Sequence, residues 1–357
     1  MVGPRTPSTV RAPLAAWALG SVVLLFAWIA TWRGVGAGVV RRDVLELWVH
    51  GAQPGWFDWV PFIHPPGYSL FMNTVDTLAS GSDADAAALV FWSSAALTLA
   101  TTALATGAAA RWFGTGPAVF VALLVSVSPQ NLRPFEHYPL ARLLLLLAFV
   151  AVVHVLERRG EEPSRRALVG VVGLALLAVE VHLSAWFLLG PLLGLLALRR
   201  EHRGARVVLI GLLVVFLATT LTGLYGVLEF GVGHKPGRGR VSFEWANPLL
   251  LAAVIPCLFV GLRRAAAGLL AFCAITFALQ ALQIADGSPF PMSLHYFELI
   301  GPPVALVVAG TLATRAGAPR WMVAVVALLL VGSQAALFAR GLGALFVDPR
   351  WILMVFG

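Results

Sequence analysis

The sequence predicts an all-α, polytopic integral membrane protein with about eleven transmembrane helices. Of its 357 residues, 59% are hydrophobic and only 12% are charged, about half the charged fraction of an average soluble domain. The mean hydropathy of +0.86 is too high for a surface that must face water. Apolar runs of roughly 20 residues, the length that crosses a bilayer, recur along the chain between short polar gaps. A soluble enzyme, a disordered chain and a disulfide scaffold are excluded.

The spans follow from the positions of these runs. The first run, 13–32, is too long for a signal-peptide core and has no convincing cleavage site, so we expect an uncleaved anchor. The stretch 66–80 contains Asn73 and Asp76 and follows two prolines, so we expect a re-entrant or interfacial helix there instead of a span. The remaining spans are expected at 86–110, 115–131, 138–156, 166–182, 184–198, 206–226, 247–262, 265–284, 297–314 and 321–339.

The charges are sorted between the two sides that these spans define. With the N-terminus in the cytoplasm, the cytoplasmic gaps hold fifteen of the 25 Lys and Arg residues but only four of the 17 acidic residues. This distribution follows the positive-inside rule, so the net charge of +8 reflects membrane orientation and not a nucleic-acid partner. We expect a single membrane domain over 1–357 in the bacterial inner membrane, without a separate soluble domain. Its first extracytoplasmic loop is 33–85, which carries juxtamembrane helices.

Two acidic residues of that first outer loop are candidate catalytic groups. Asp43 and Glu46 are three positions apart, so a short helix would place both carboxylates on one face. Such a pair near a membrane surface suits a general base, or ligands for a divalent cation such as Mg²⁺ or Mn²⁺. A solvated loop helix with Arg–Glu pairing is the alternative. The histidines form no local metal-binding pattern, so the sequence assigns no metal ligands beyond this pair.

Two other outer segments hold ionisable residues that the positive-inside rule does not explain. The segment 234–240 reads His-Lys-Pro-Gly-Arg-Gly-Arg, which suits phosphate binding, a solvated loop, or contact with anionic lipid headgroups. Glu180 and His182 lie at the outer end of a span, where ionisable side chains are costly and usually functional. They are candidates for contact with an acceptor or a metal, or for a hydrogen-bonded pair that fixes two helices.

The first outer loop also carries a resemblance to a known group of enzymes. Asp43 lies about ten residues past the first span, and His-Pro-Pro-Gly-Tyr follows at 64–68 before an apolar helix. This arrangement resembles the GT-C superfamily. Within it, the closest resemblance is to the bacterial membrane glycosyltransferases that include the protein mannosyltransferases and the aminoarabinose transferase.

Two later motifs agree with this resemblance and occur in the right order. Ser128-Pro129, followed by Arg133 and a leucine-rich span, is similar to the second outer loop of that group. His295-Tyr296-Phe297, leading into Leu-Ile-Gly-Pro-Pro at 299–303, is similar to a late helix of such proteins. Together the motifs touch most of the chain.

The resemblance implies roles for the candidate residues. In these enzymes the first outer loop carries the catalytic aspartate, which Asp43 matches, and a Pro-Pro element begins a juxtamembrane helix that lines the site. Many relatives have a second aspartate at the end of the second outer loop, where Glu136 is the substitute here. The candidates are catalytic Asp43, Glu46 and Glu136; donor-binding or phosphate-binding His64, Arg133, Arg142, Lys235, Arg238 and Arg240; and site-lining Tyr68, Glu180, His182, His295 and Tyr296.

The implied activity is transfer of a sugar from a polyprenyl-phosphate-linked donor to a lipid, glycan or protein at the outer membrane face. The expected partners are that donor and the membrane lipids, and the sequence does not define an oligomeric state. A transporter or flippase of lipid-linked intermediates is one alternative, although most polar residues lie at the outer span ends and not at mid-membrane. A catalytically inactive GT-C-like subunit and, more remotely, an outer-facing metallohydrolase are the others.

Overall fold

The computed structural model describes residues 8–35, 71, 74–75, 77–78, 83–132, 138–157, 163–182, 184–198, 210, 247–285, 296–314 and 317–347. All regular secondary structure in these ranges is helical, which confirms the all-α prediction for them. The α-helices are α1 Ser8–Val35, α2 Asp83–Phe113, α3 Thr115–Ser126, α4 Tyr138–Glu157, α5 Arg165–Val181, α6 Ala185–Ala197, α7 Pro248–Ala252, α8 Arg263–Ala285, α9 Phe297–Thr314 and α10 Arg320–Val347.

Nine of the eleven expected spans coincide with described helices, and a tenth, 247–262, is interrupted. The eleventh, 206–226, lies outside the described residues except for Ile210, and the five described positions within 66–80 are all helical. α2 starts at Asp83, so it includes the end of the expected loop 33–85, and α10 continues to Val347 instead of ending at 339. Within the described ranges, five helices are long and apolar enough to cross a bilayer: Arg11–Arg33, Ala88–Phe113, Tyr138–Glu157, Phe297–Thr314 and Arg320–Gly343.

The expected span 247–262 is not one continuous helix. The five-residue α7 is followed by turns and by a 3₁₀ turn at Pro256–Leu258. The break has a local cause, because Pro256 has no N–H to donate to the carbonyl of Ala252. At the other end, the Asn247 side chain caps α7 by accepting from the Leu249 N–H at 3.1 Å. The prediction of an uninterrupted span here was wrong.

Helix α9 lies at the centre of the bundle. It packs against α2, α3, α4 and α8, and it is the most buried of the five long apolar helices. α10 is the least buried of them, and α1 is also largely exposed. Both present large apolar side chains outward, among them Leu19, Phe26, Leu328 and Leu329. Such a surface is unsuited to water but is what a helix facing lipid requires.

Small residues allow some of these helices to approach closely. A Cβ added to Gly20 of α1 would collide with the Ser126 side chain of α3. A Cβ added to Gly310 of α9 would lie 2.8 Å from the ring of Phe113, at the end of α2. Contacts of this kind supply the packing that holds membrane helices together, because burial from water does not drive their association in lipid.

The helix ends gather into two groups. At one end, the Arg264 guanidinium donates to the Leu156 carbonyl at 2.6 Å, and the Thr311 hydroxyl donates to the Val260 carbonyl at 3.1 Å. Gly114 joins α2 to α3 at this end with φ of 92°, a conformation that favours glycine. These segments are the ones expected on the cytoplasmic side. The segments expected outside meet at the opposite end, as described next.

Candidate functional site

Arg142 lies in the first turns of α4 and is only 4% exposed. Its Nη1 donates to the Asn131 side-chain oxygen at 2.8 Å, and its Nη2 reaches the Gln130 carbonyl at 3.4 Å. Both partners belong to the 3₁₀ turn Pro129–Leu132, which follows α3. A guanidinium buried this far from water requires such partners, because its desolvation is otherwise too costly.

Asn131 also forms hydrogen bonds with residues of α3 and α1. Its side-chain nitrogen donates to the Val125 carbonyl at 2.7 Å, and its backbone carbonyl accepts from the Trp28 indole N–H at 2.7 Å. Trp28 is completely buried where α1 packs on the 3₁₀ turn. The position of the Arg142 guanidinium is therefore fixed by α1, α3 and α4 together.

The polar network extends from this turn to α10 and α7. The Ser128 hydroxyl bonds to the Gln130 side chain and accepts from the Gln334 amide nitrogen at 3.3 Å. The oxygen of the same Gln334 amide accepts from the Asn247 side-chain nitrogen at 3.0 Å. A chain of buried amides and hydroxyls thus links the Arg142 region to the start of the broken segment.

A small cavity lies against this network. Arg142 and Glu298 both line it, and Glu298, in the first turn of α9, is only 2% exposed. Pro302 also lines the cavity. The other lining residues are Thr98, Thr101, Leu124, Val125, Ser128, Asn131, Pro139, Leu250, Gly301 and Gln334.

A second cluster at the same end of the bundle is centred on His182, the C-cap residue of α5. Its ring lies between Tyr138 and Tyr296, with centroid distances of 5.2 and 5.7 Å. Its Nδ1 lies 2.6 Å from the Ser184 hydroxyl and accepts the Ser184 N–H at 3.3 Å. Burial of the hydroxyl raises the pKa of Tyr296 to about 12, so this phenol stays protonated and cannot serve as a base near neutral pH.

The structure brings together some of the sequence-derived candidates. Arg142 lines the cavity, and His182 and Tyr296 share the aromatic cluster. Glu180 is exposed, and the pairing shown for His182 is with Ser184. The remaining candidates lie outside the described residues: Asp43, Glu46, His64, Tyr68, Arg133, Glu136, Lys235, Arg238, Arg240 and His295.

Three cavity or network residues were missed by the sequence analysis, namely Glu298, Gln334 and Asn131. Glu298 had a detectable signal, because a carboxylate within a predicted span, here in its first turn, is costly and usually functional. Gln334 lies within an apolar run, and Asn131 in a short turn, where polar residues are common. As for a metal, no three histidine, cysteine or carboxylate residues come together within the described ranges.

One solved structure has a fold similar to that of this chain. The chain is similar to ArnT from Cupriavidus metallidurans in its apo state, with a TM-score of 0.52 and 17% sequence identity. The similarity covers 95% of this chain and 77% of that one. ArnT, the aminoarabinose transferase, is a GT-C enzyme. This chain has an ArnT-like fold.

The ArnT-like fold agrees with the resemblance drawn from the sequence motifs, and the apolar helices of the chain support a polytopic, all-helical integral membrane protein. At this level of identity the similarity to ArnT defines the fold and not the substrate. No protein-family model matches the sequence, and no curated protein does.

Proposed function

We propose that the protein is a membrane glycosyltransferase that moves a sugar from a polyprenyl-phosphate-linked donor to a hydroxyl group of a lipid, glycan or protein. The observation that carries this proposal is the ArnT-like fold over 95% of the chain. It is supported by the buried Arg142 and Glu298, which line a small cavity at the end of the bundle where the segments expected outside meet. We further propose that this end faces the exterior of a bacterial inner membrane, with the N-terminus in the cytoplasm.

The proposed reaction exchanges one C–O bond for another at the anomeric carbon. The acceptor oxygen bonds to this carbon, the bond to the phosphate oxygen breaks, and polyprenyl phosphate leaves with the bonding electrons. The acceptor proton moves to a carboxylate, for which Asp43 is the proposed base and Glu46 and Glu136 are the neighbouring candidates. Cations stabilise the leaving phosphate, and the candidates are Arg133, Arg142, Lys235, Arg238 and Arg240. The turnover assay, run with and without Mg²⁺ or Mn²⁺, tests separately whether the reaction requires a divalent cation.

The test is a turnover assay in nanodiscs with a panel of polyprenyl-phosphate sugars. We expect the wild-type protein to release polyprenyl phosphate and the Asp43→Asn variant to release none, because the amide cannot accept the acceptor proton. Asp85→Asn is the matched control, since it makes the same change at an acidic residue that has no proposed role. Equal turnover by the wild-type and Asp43→Asn proteins would remove Asp43 from the mechanism.

A flippase is the second candidate, because the broken segment at 248–258 is the kind of element that transporters place near a substrate. The same experiment separates the two functions. Binding of the lipid-linked sugar without turnover by the wild-type protein would favour a flippase or a catalytically inactive subunit.

A further inference from the structure

The broken segment at 248–258 lies, with its flanking residues, at the depth of the bilayer core. Before it, the Asn247 side-chain nitrogen donates to the Ser333 hydroxyl at 2.8 Å. Ser333 is about 20 Å from the start of α10, at a rise of 1.5 Å per residue. After it, the Val260 carbonyl accepts from Thr311, which is in the last turn of α9. The segment therefore crosses a large part of the apolar layer, which is about 30 Å thick.

The backbone of this segment is irregular where it crosses that layer. The N–H groups of Ile255, Leu258 and Phe259 donate to carbonyls three residues back, as in a 3₁₀ turn. Bends follow at 260–262, where Gly261 has a φ of 77°. Lipid offers no hydrogen bonds, so irregular backbone persists at this depth only where protein covers it or where it lines a water-filled cavity.

One side of the segment is exposed in the described part of the chain, and that side is apolar. The exposed fractions of Leu249, Ile255 and Phe259 are 57%, 54% and 69%. Water held at this depth would need polar partners, which these three side chains do not offer. Because neither water nor lipid suits this surface, the segment requires a cover made of protein.

The expected span 206–226 is placed to supply that cover. It lies outside the described residues except for Ile210. Its start is confined, because the gap from Leu198 to Arg206 extends at most about 28 Å. Leu198 ends α6, and α6 packs against α8, which begins directly after the bends that follow the broken segment. A second copy of the chain would have to compete with this tethered span, whose effective concentration is roughly millimolar.

The sequence of 206–226 has the two faces that such a role requires. On a helix with 3.6 residues per turn, four small or β-branched residues fall within about 60° of one another: Gly211, Val215, Ala218 and Thr222. The opposite face carries larger side chains, namely Leu209, Leu213, Phe216 and Leu224. Small residues and threonine hydroxyls are typical of faces that pack on protein within a membrane, whereas large apolar side chains suit lipid.

We propose that the span 206–226 docks its small face, formed by the residues at 211, 215, 218 and 222, on the exposed side of the broken segment. The two run antiparallel, so that Gly211 lies near Phe259 and Thr222 lies near Leu249. This docking does not depend on the proposed function, because it follows from the requirements of the backbone in lipid.

The docking also determines where the loop 227–246 begins and ends. Its two ends lie side by side, next to Asn247, which bonds to Gln334 in the network around Arg142. The basic segment 234–240 is thereby tethered beside that network.

Disulfide crosslinking of the full-length protein in its membrane tests the docking. In a background with Cys257 and Cys273 replaced by alanine, cysteines are introduced in pairs: Phe259→Cys with Gly211→Cys, and Leu249→Cys with Thr222→Cys. The matched controls move the second cysteine by two residues to the opposite face, as Leu213→Cys and Leu224→Cys. A disulfide requires Cβ atoms about 4 Å apart, so the small-face pairs should crosslink severalfold more than their controls. A protease site inserted in the loop 227–246 identifies bonds within one chain, because the two fragments then stay joined on a non-reducing gel.

A stability measurement provides a second readout that needs no oxidation. Gly211→Leu should lower the midpoint of thermal unfolding, because the larger side chain cannot fit against the broken segment. Phe259→Ala in the same chain should restore part of that loss by making room. Leu213→Phe, on the face expected to contact lipid, should leave the midpoint unchanged.

The outcomes separate this proposal from its alternatives. A disulfide that joins two chains would assign the surface to a second copy and overturn the docking. Equal crosslinking of the small-face pairs and their controls would also overturn it, since only one face can dock. Absence of crosslinks in both small-face pairs would overturn it whatever the stabilities, and so would a Gly211→Leu variant as stable as the wild type. None of these results depends on turnover, so failure of the docking and failure of the transferase are distinguishable.

Discussion

Asn131 orients Arg142. The Asn131 amide accepts from the guanidinium at 2.8 Å with its oxygen and donates to the Val125 carbonyl at 2.7 Å with its nitrogen, so it joins α3 to α4 through one side chain. Because a membrane interior offers no water to replace either bond, the two residues should be energetically coupled.

A double-mutant cycle tests that coupling. Asn131→Ala and Arg142→Leu should each lower the free energy of unfolding in detergent, and the double variant should lose less than the sum of the two. We expect a coupling energy of roughly 1.5–3 kcal/mol, the range for hydrogen bonds to charged groups. Strictly additive losses would show that the 2.8 Å contact contributes no stability of its own.

The contact between Gly20 and Ser126 predicts that α1 tolerates no larger residue at position 20. Gly20→Ala should destabilise the protein by about 1–3 kcal/mol, because the new methyl group forces α1 and α3 apart. The second change Ser126→Gly should restore most of that loss by removing the colliding side chain. Thermal unfolding of the three proteins in one detergent provides the comparison, with Gly107→Ala as the control at an open position. Failure of Ser126→Gly to rescue would locate the defect elsewhere.

The contacts of His182 predict its tautomer. A backbone N–H can only donate, and that of Ser184 points at Nδ1 from 3.3 Å, so Nδ1 must carry the lone pair and Nε2 the hydrogen. Nitrogen-15 spectra of histidine-labelled protein should show a neutral Nε2–H ring at pH 7, assigned by loss of its signal in His182→Asn. Ser184→Ala should keep this tautomer because the backbone donor remains. A hydrogen found on Nδ1 would contradict the arrangement.

The grouping of helix ends predicts labelling from opposite sides of the membrane. In a background with Cys257 and Cys273 replaced by alanine, a cysteine introduced at Gly239 should react with a membrane-impermeant maleimide on spheroplasts. A cysteine at Gly160 should react only after the membrane is opened. The gap at 158–166 is rich in arginine, so the positive-inside rule places it in the cytoplasm. The reverse pattern would invert the proposed orientation and move the cavity to the cytoplasmic half.

The helices were predictable because the bilayer imposes a length and a hydropathy that single apolar runs display. Arg142, His182 and Tyr296 were named as candidates because polar residues at span ends stand out against apolar neighbours, and their roles stay predictions. Gln334 and Asn131 could not be named, because their place in the network arises only when separate helices come together, whereas Glu298 could have been found as a carboxylate at the start of a span. The break near Pro256 was not predicted, because hydropathy is averaged over a window of residues and one missing backbone N–H does not change that average.

That break has a consequence for biogenesis. The segment 248–258 is too short to cross a bilayer by itself, and its principal contacts are with α8, α9 and α10. All three partners follow it in the chain, so it leaves the ribosome before any of them exists. The packing around this segment can therefore form only after the last helices have been made, and a chain that stalls before α9 leaves the segment without most of these contacts.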